Sequence, residues 1–308
     1  MTSISVVIVN HNTCDLVRSC LHSIQADQPD EVIIVDNAST DGSVEMIYAD
    51  FRWVRLIRNE RNMGYGAAAN RAVAQCQTPY FLLLNADTIL RPGVLKKFSD
   101  YLDQHPHAAM VGPRLLDPDG TLQSSCFPFP TPLDIFLDVS HVSHLMRFIP
   151  ILRDRYMRSW NHLHSRQVPW VVGAALAIRR EAFQACGGFD ETFFMYYEEV
   201  DLCYRLWQRG WQIHYLPSAE IVHIGGAATE KYRVSMVVQL YTSLANFYRH
   251  HYSKWRLTQL TLLVEWIAFA RLIRDSAMHL LARDTDQRSR LAGNTAAWKR
   301  LLFGAWRG

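Results

Sequence analysis

The chain contains 308 residues, of which 49% are hydrophobic and 20% are charged, and its net charge at pH 7 is +3. This length holds one large α/β domain or two smaller ones, with ample apolar content for a core. The six cysteines form no CxxC pair and no zinc-like spacing, which argues against a disulfide framework and favours a reducing cytosol. We expect no signal peptide and no membrane span, because the N-terminus has no basic lead and no uncharged run is long enough.

The charge is unevenly distributed along the chain. Residues 249–308 contain 11 Lys or Arg against 4 Asp or Glu, which gives this segment a charge of +7 and the remainder a charge of −4. This asymmetry predicts a basic tail on a mildly acidic body.

Short apolar segments alternate with helical patterns at the start of the chain. Predicted strands occupy residues 4–9, 31–35, 54–57 and 80–84. Each of the first three is followed by a helical pattern. Ser39 or Thr40 is the expected cap of the second helix, and Gly64-Tyr65-Gly66 opens the third. The alternation predicts an α/β fold with a mainly parallel sheet covered by helices on both faces.

The middle of the chain is less regular. Asp117-Pro118-Asp119-Gly120 is typical of a tight turn between short strands. Residues 128–169 are predicted to form an irregular or helical insertion. Further predicted strands are residues 170–178 and residues 211–216, the second closed by Pro217. Beyond Lys231 the pattern is helical, with amphipathic stretches.

Polar side chains follow the predicted strands at their carboxyl ends. They are Asn10, Asp36, Asn37 and Asp87. Ligands bind at this edge of a parallel α/β sheet, so we expect a site there. Asp87 suits one ligand of a metal-bound diphosphate, since Mg²⁺ is held by one or two carboxylates plus phosphate oxygens. The alternative for Asp87 is a carboxylate that caps the following loop.

Two further features have both a structural and a functional interpretation. His223 precedes Gly225-Gly226, which permits close approach of a ligand, but a single histidine on an apolar strand is also a common core residue. The Gly64-Tyr65-Gly66 loop can offer backbone amides to a nucleotide. It lacks the third glycine of a dinucleotide fingerprint, so it indicates NAD binding only weakly.

Residues 187–205 combine a glycine pair, aromatic side chains and clustered carboxylates, and they run into a helical pattern. They form either the floor of a site for a polar ligand that loses a proton, or a loop that caps the helix through Glu198 and Glu199. At about 100° per residue, Glu198 and Asp201 share one side of the helix and Glu199 points away from Asp201. We therefore expect a surface pair between Asp201 and Arg205, with Glu199 facing the cleft. The helix dipole is expected to keep Glu199 ionised, as suits a proton acceptor.

Six segments, taken together, resemble the family 2 glycosyltransferases, inverting enzymes of the GT-A fold, and especially their bacterial rhamnosyltransferase-like members. Each segment is weak alone, but the set is highly specific, follows the family's order and spans roughly residues 3–230. The segments are VVIVNHN at 6–12, IIVDNASTDGS at 33–43, RNERNMGYGAAAN at 58–70, FLLLNADT at 81–88, GGFDETFFMYYEEVDLCYR at 187–205 and HIGG at 223–226.

The resemblance implies that a sugar nucleotide binds along the first four strand ends. Asn10, Asp36 and Asn37 would hold the base and ribose, with residues 58–70 beside them. The further residues implied to contact the nucleotide or the substrate are Arg58, Asn62, Gly64, Asn85, Ala86, Trp170 and Glu198.

The resemblance also implies a metal site and a catalytic base. Asp87 matches the last acid of the family's DxD motif, and His223 matches the histidine that completes the site for Mg²⁺ or Mn²⁺. Asn85 stands where the first acid is usual, which leaves the strictness of the metal requirement open. Glu199 falls at the position of the family's base, where Asp is usual, so its carboxylate reaches one methylene farther.

The implied reaction is a single displacement with inversion of configuration. Glu199 removes the proton from an acceptor hydroxyl, whose oxygen attacks the anomeric carbon opposite the leaving group. A metal at Asp87 and His223 neutralises the departing nucleoside diphosphate. The pattern favours dTDP-L-rhamnose as donor, with a UDP-sugar as alternative, and a glycan or lipid-diphosphate-linked sugar as acceptor in cell-surface polysaccharide synthesis. We expect no nucleic acid partner.

The expected organisation is a GT-A domain over residues 1–230 and a helical region over 231–308. The first comprises a nucleotide-sugar-binding half, 1–112, and an acceptor and catalytic half, 113–230. In the tail, basic and aromatic residues flank an apolar stripe, which suits a helix at the surface of an anionic membrane. Packing of that stripe on the catalytic domain, or on a second subunit of a homodimer, is an equal alternative on the pattern alone. Because many similar transferases extend lipid-linked glycans, we expect a cytoplasmic protein attached peripherally to the inner face of the cell membrane.

Two other functions remain as alternatives. Asn85 and Glu199 depart from the family pattern, which keeps open a catalytically silent protein that binds sugar nucleotides or glycans. Transfer or donor hydrolysis that depends on Glu199 would discriminate against it. The missing third glycine argues against an NAD-dependent dehydrogenase, which would have to bind nicotinamide.

Overall fold

The computed structural model describes residues 4–139, 160–225, 233–282 and 284–307. Segments rich in β-branched residues form its strands, and segments with helical periodicity form its helices. In chain order the elements are β1 (Ile4–Asn10), α1 (Cys14–Gln25), β2 (Glu31–Asp36), α2 (Ser43–Asp50), β3 (Arg55–Arg58), α3 (Tyr65–Val73), β4 (Tyr80–Asn85), β5 (Thr88–Leu90), α4 (Val94–Gln104), β6 (Ala108–Leu116), β7 (Leu122–Gln123), β8 (Cys126–Phe127), α5 (Pro132–Val139), β9 (Arg166–Val168), β10 (Trp170–Val171), β11 (Ala175–Arg179), α6 (Arg180–Ala185), α7 (Glu198–Gln208), β12 (Gln212–His223), α8 (Arg233–His251), α9 (Lys254–Leu281) and α10 (Thr285–Leu302).

The chain forms two compact units. The first unit comprises residues 1–129, 150–194 and 198–228, and its described part holds all the strands named above. The second unit comprises residues 130–149, 195–197 and 229–308, and it holds α5 and α8 to α10. Among the residues that the structure describes, no helix is long and apolar enough to cross a bilayer.

The sheet of the first unit has the strand order β3-β2-β1-β4-β11-β6-β12-β5. Strands β1 to β4 are parallel, and Ile8 of β1 lies opposite Ile34 of β2 and Leu84 of β4. Strands β1, β2 and β4 are almost entirely buried, because helices cover both faces of the sheet. β11 runs antiparallel to both β4 and β6. The predicted α/β fold with helices on both faces is confirmed, and its second half adds antiparallel strands.

Alternate residues of the buried strands supply two apolar cores, one on each face of the sheet. Val6 and Ile8 of β1 pack in the same core as Leu21 of α1. Val7 of β1 packs on the other face with Leu202 of α7. This division follows from the two-residue period of side chains along a strand. Each fully buried side chain of this size contributes about 1.5–3 kcal/mol through the hydrophobic effect.

One corner of the sheet places Asp87. The chain leaves β4 at Asn85 and enters β5, which pairs antiparallel with the end of β12 so that Thr88 lies opposite His223. The Ile224 amide donates to the Asp87 carbonyl at 3.0 Å, which continues this pairing by one step. Residues that are distant in sequence, Asp87 and His223, therefore meet at one end of the sheet.

The start of α2 differs from the prediction of a cap at Ser39 or Thr40. The helix begins at Ser43, directly after Gly42 at φ 84°. Asp41 accepts hydrogen bonds from the Ser43 amide at 3.1 Å and from the Ser43 hydroxyl at 2.5 Å. The hydroxyl of Ser39 accepts instead from the Asn12 amide at 2.9 Å, so it binds the β1–α1 loop and does not cap a helix.

The second half of the sheet corrects two strand boundaries. β12 does not end at Pro217 but continues to His223, because a register shift between Leu216 and Glu220 removes the need for a ladder donor at the proline. The strand predicted over residues 170–178 is split into β10 and β11. The turn at residues 117–120 is confirmed, with the Gly120 amide donating to the Asp117 carbonyl at 2.8 Å.

The insertion predicted over residues 128–169 contains the helix α5 and the short strand β9. Its central part, residues 140–159, lies outside the described residues. The helical pattern predicted beyond Lys231 is confirmed by α8 to α10.

Candidate functional site

The carboxyl ends of β1 and β2 carry a buried polar pair. Asn10 Nδ2 donates to Asp36 Oδ2 at 2.8 Å and to Ser39 Oγ at 3.1 Å. Asp36 also accepts the Ser39 amide at 2.9 Å on its other oxygen. Neighbouring parallel strands end at the same edge of the sheet, so the two residues meet where a ligand is expected. The structure thus brings the predicted residues Asn10 and Asp36 into direct contact.

Asn37 organises the neighbouring loop. Its Oδ1 accepts from Asn59 Nδ2 at 2.9 Å and from the Met63 amide at 3.0 Å. Its Nδ2 donates to Asn62 Oδ1 at 2.9 Å and to the Gly64 carbonyl at 3.1 Å. These four bonds use both donors and both acceptor positions of the amide. The Asn37 side chain therefore shapes the loop that contains the predicted residues Asn62 and Gly64.

Arg58 lies apart from this network. It is exposed at the end of β3, where its carbonyl accepts from Arg71 at 3.4 Å. Arg58 pairs with Asp36 in the β2–β3 register, so the residue lies at the same edge of the sheet. This position is compatible with contact to an anionic ligand at the strand ends.

The loop before α3 is joined to the segment that precedes α7. The Tyr65 amide donates to the Phe194 carbonyl at 2.9 Å, and a Cβ atom on Gly64 would lie only 2.4 Å from that oxygen. Asn70 Nδ2 donates to the Phe189 carbonyl, and Asn70 Oδ1 accepts the Phe189 amide, both at 2.9 Å. Gly64 is thus required both by its φ of 87° and by this close approach.

Asp201 and Arg205 form a buried ion pair in the first turns of α7. The two side chains do form the predicted pair, at 2.7 Å, but Asp201 is only 1% exposed, so the expectation of a surface pair is wrong. Arg205 also donates to the carbonyls of Cys186 and Gly188 at 2.7 and 2.8 Å. The guanidinium of Arg205 has five N–H donors, so it can bond Asp201 and the backbone at Cys186 and Gly188 at the same time. These bonds compensate for the burial of the two charges.

Glu198 and Glu199 open α7 directly after two residues with strained backbone. Tyr196 and Tyr197 have φ values of 67° and 68°, in the left-handed region that non-glycine residues rarely adopt. Such conformations cost roughly 1–2 kcal/mol each and cluster at functional sites. Both carboxylates therefore follow directly, along the chain, on two residues with a costly backbone conformation.

Each of the two carboxylates has a buried oxygen atom without a hydrogen-bond partner in the part of the chain that the structure describes. Within the described residues, neither Glu198 Oε2 nor Glu199 Oε2 has a hydrogen-bond partner. Burial raises the pKa of Glu198 well above its ordinary value, and the charge of Glu199 raises it further. Burial also raises the pKa of Glu199, although backbone amides, including that of Gly173, oppose the shift. The ionisation of Glu199 by the helix dipole stays a prediction, and desolvation acts against it.

Trp170 lies on the segment that also carries Gly173. Its indole Nε1 donates to the Pro128 carbonyl at 2.7 Å, and its ring packs on Phe127 at 5.2 Å between centroids. A Cβ atom on Gly173 would lie 3.4 Å from Glu199 Oε1, so the backbone there borders the carboxylate closely. The indole donor of Trp170 is therefore already used within the protein.

Asp87 and His223 form the other half of the site. His223 Nε2 lies 3.5 Å from Asp87 Oδ1, and both side chains are largely buried. His223 Nδ1 is 2.7 Å from Gln123 Oε1. Asn85 contributes its backbone, with its amide donating to the Ala174 carbonyl at 2.9 Å, and Ala86 is buried beside it. One carboxylate and one imidazole suit a divalent cation whose remaining ligands are diphosphate oxygens and water.

Acidic residues of both halves of the site, that of Glu198 and Glu199 and that of Asp87, act electrostatically on Tyr65. Its hydroxyl is buried and lacks a partner among the described residues. Burial raises the pKa of Tyr65 well above its ordinary value, and the charges of Glu198, Glu199 and Asp87 raise it further. Sequence reasoning named Tyr65 only as part of a glycine loop and did not name Gln123. The signal for Tyr65 was its place between two glycines at the expected ligand edge.

The buried carboxylate of Glu198 predicts a pH-dependent cost to stability. A folded-state pKa above the unfolded value of about 4.3 means that the folded protein binds the extra proton. The contribution of this proton to the free energy of unfolding is then fully present below about pH 4. It is lost as the pH rises through the pKa of the folded state. We expect Glu198→Gln to lose less stability than wild type between about pH 5 and pH 8, measured by urea unfolding.

Glu60→Gln is the matched control, because Glu60 is exposed in the same unit. It should follow the wild-type pH dependence. An identical pH dependence for Glu198→Gln and wild type would contradict the assignment of a raised pKa to Glu198.

Comparison with known proteins assigns the family. A model described as glycosyl transferase family 2 matches residues 5–186. The N-acetylglucosaminyl-diphospho-decaprenol L-rhamnosyltransferase of Mycobacterium tuberculosis is 31% identical over 283 residues, which cover 87% of this chain and 88% of that protein. The dTDP-rhamnosyl transferase RfbF of Shigella flexneri is 24% identical, over 80% of this chain and 77% of its own length.

Solved structures agree on the fold. The mannosyltransferase PcManGT from Pyrobaculum calidifontis, in complex with GDP-Man and Mn²⁺, superposes with a TM-score of 0.54 at 16% identity, covering 98% of this chain and 87% of that one. This likeness, with the mixed sheet and its flanking helices, confirms the predicted GT-A architecture. The chain belongs to glycosyl transferase family 2, as its sequence motifs indicated, and it is a glycosyltransferase.

Proposed function

We propose that the protein transfers L-rhamnose from dTDP-L-rhamnose to a hydroxyl of a lipid-diphosphate-linked sugar, with inversion, in cell-surface polysaccharide synthesis. One observation carries the catalytic part of this proposal. An incompletely paired buried carboxylate, Glu199, and a facing carboxylate and imidazole, Asp87 and His223, belong to the same unit, and the charges of Glu199 and Asp87 both act on the buried phenol of Tyr65. The donor and the acceptor are supported by the names of the two relatives, which specify a dTDP-rhamnosyl donor and a diphospho-decaprenol acceptor.

The donor is proposed to lie along the ends of β1 to β4. The loop shaped by Asn37 borders the nucleoside, and Asp36 and Asn10 line the strand ends beneath it. Asp87 and His223 would hold the divalent cation, Mg²⁺ or Mn²⁺, which when bound neutralises charge on the diphosphate leaving group. Their chemistry fits such an ion, since a carboxylate oxygen and an imidazole nitrogen face each other at 3.5 Å.

Glu199 is proposed to act as general base. Its Oε2 is available for a proton, and the raised pKa of Glu199 makes it a stronger base than an exposed glutamate. The acceptor oxygen forms a bond to the anomeric carbon as the bond from that carbon to the diphosphate oxygen breaks. The hydroxyl proton goes to Glu199, and the electron pair of the broken bond goes to the diphosphate.

Glu198 has a different role in this proposal. Two adjacent buried carboxylates do not both ionise readily, and burial raises the pKa of both Glu198 and Glu199. In this proposal Glu198 retains a proton and Glu199 carries the charge, because Glu199 stands at the position of the family's base. As a neutral acid, Glu198 can donate a hydrogen bond to a sugar hydroxyl.

The two acids are distinguished by isosteric amide variants. Glutamine resembles a neutral glutamic acid but cannot accept a proton, so Glu199→Gln should lower transfer by about 10²–10⁴-fold and keep donor binding. Glu198→Gln should keep most of the turnover. Steady-state transfer of rhamnose and calorimetric binding of dTDP measure the two quantities.

Comparison of the two variants also controls for misfolding. Both substitutions lie at neighbouring positions of one helix, so a general disturbance of the helix would lower turnover in both variants. Near-normal turnover in Glu199→Gln would refute its role as base. A wild-type protein that binds donor but neither transfers nor hydrolyses it would favour a silent sugar-nucleotide-binding protein.

Asp87 is tested by the metal dependence of donor binding. Asp87→Ala should abolish the gain in donor affinity that Mg²⁺ or Mn²⁺ provides, because one of the two protein ligands is lost. Thermal shifts with dTDP-rhamnose, UDP-sugars and GDP-sugars, each with and without the ion, measure this gain and rank the donors. Asp103→Ala, a carboxylate of the same unit that bonds Tyr80, is the control. Wild-type activity that persists in a chelator would refute the metal role.

The acceptor proposal draws on the second unit. One face of α9 carries apolar side chains that are each more than half exposed, although the opposite face is buried. The exposed residues are Trp255, Leu262, Trp266, Phe269, Ile273 and Leu280. Phe136 of α5 contacts Trp266 at 5.9 Å and is itself exposed, so the apolar surface extends onto a second helix. With the +7 charge of residues 249–308, it suits the surface of an anionic membrane.

We expect the protein to bind liposomes that contain anionic lipid, and binding to weaken with salt, since each basic residue near the surface contributes about 1 kcal/mol. The double variant Trp266→Ser with Phe269→Ser should bind less, as measured by co-sedimentation. Trp53→Ser, which removes an exposed tryptophan from the first unit, is the control. No binding at low salt, or equal binding to neutral liposomes, would contradict electrostatic attachment. Self-association that the double variant abolishes would instead indicate a homodimer face.

A further inference from the structure

We propose that Asp117 and Gln123 are positioning residues that hold His223 as the Nδ1–H tautomer, with the lone pair of Nε2 directed toward Asp87. The inference deepens the proposed function, because it concerns the residues that would hold the metal. It gives a role to the 117–120 turn, which the sequence indicated only as a connection between strands.

A continuous chain of hydrogen bonds links the turn to the site. Asp117 Oδ1 accepts from Gln123 Nε2 at 2.7 Å. Gln123 Oε1 lies 2.7 Å from His223 Nδ1. His223 Nε2 then faces Asp87 Oδ1 at 3.5 Å. All four side chains belong to the first unit.

The direction of this chain follows from which atoms can donate. An ionised carboxylate only accepts hydrogen bonds, so the group that faces Asp117 must be the amide nitrogen of Gln123. That nitrogen is also 3.4 Å from the His223 carbonyl, a second acceptor. The amide oxygen must therefore face the imidazole, and it accepts from Nδ1. A neutral imidazole with its proton on Nδ1 has its lone pair on Nε2.

The backbone makes this geometry rigid. Leu115 of β6 is paired with Gln123 of β7 on one side and with Ile221 of β12 on the other. His223 lies two residues beyond Ile221, so it shares a face of the sheet with Gln123. The turn fixes Asp117, whose amide donates to the Thr121 carbonyl at 2.8 Å.

The consequence lies at Asp87. With the proton on Nδ1, Asp87 Oδ1 and His223 Nε2 are two acceptors that face each other, and a shared cation satisfies both. The opposite tautomer would donate from Nε2 to Asp87 and occupy the lone pair that a metal needs. Partners of this kind on a metal-ligating histidine typically change metal affinity by about 10–100-fold.

The tautomer is measured directly by nitrogen NMR of ¹⁵N-histidine-labelled protein, with the His223 signals assigned by their loss in His223→Gln. We expect the wild type, without metal, to show the proton on Nδ1. Asp117→Asn presents either an oxygen or a nitrogen to Gln123 and so allows its amide to turn. This variant should show a mixed tautomer.

Mn²⁺ binding in the presence of dTDP, followed by electron paramagnetic resonance, gives the second readout. Asp117→Asn and Gln123→Leu should bind Mn²⁺ about 10-fold or more weakly than wild type. The exchanged pair, Asp117→Asn with Gln123→Glu, lets the new amide donate to the new carboxylate, which again accepts from Nδ1. It should regain Mn²⁺ affinity relative to either single change, a coupling that a merely destabilised turn does not produce.

Asp119→Asn is the matched control, because Asp119 lies in the same turn but bonds Thr121 and not Gln123. It should leave both readouts unchanged. A wild-type His223 with its proton on Nε2, or equal effects of Asp117→Asn and Asp119→Asn, would overturn the inference. Failure of wild type to bind Mn²⁺ would instead overturn the metal role in the proposed function, and the NMR result would still decide the tautomer.

Discussion

The pairing of β5 with the end of β12 is the constraint on which the site depends. It sets Thr88 opposite His223. The Asp87 side chain therefore lies beside the imidazole of a residue that is distant in sequence. A strand register is specified wherever one face of a sheet is buried, since a shift by one residue would turn every side chain to the opposite face. The apolar residues of β12 therefore determine where a polar residue, His223, points.

The carboxylates at the start of α7 illustrate a conflict between stability and function. Burial of incompletely paired acids is unfavourable, and the fold compensates through the buried pair of Asp201 and Arg205, which anchors the same helix turn. The strained backbone at Tyr196 and Tyr197 adds to the cost. Both features are understandable if the missing hydrogen-bond partners are supplied by the sugar and the acceptor hydroxyl.

The site combines several acids with buried oxygen atoms that have no partner among the described residues. The charges of Glu198, Glu199 and Asp87 all act on Tyr65, and like charges in a desolvated region repel strongly. Protonation of one acid relieves part of this repulsion, and a cation at Asp87 would relieve another part. The proposed division of roles between Glu198 and Glu199 follows from this repulsion, whereas the proposed tautomer of His223 follows from the hydrogen bonds of Asp117 and Gln123.

The sequence by itself determined the strands β1 to β4, the polar residues at their carboxyl ends and the family. These are local matters, because apolar runs, turn residues and motif order depend only on neighbours along the chain. The tertiary structure decided that Asp201 is buried, that Glu199 Oε2 is buried without a partner among the described residues, and that Gln123 contacts His223. It also carried β12 past Pro217 through a register shift. Burial, register and hydrogen-bond partners depend on segments distant in sequence, so no local pattern specifies them.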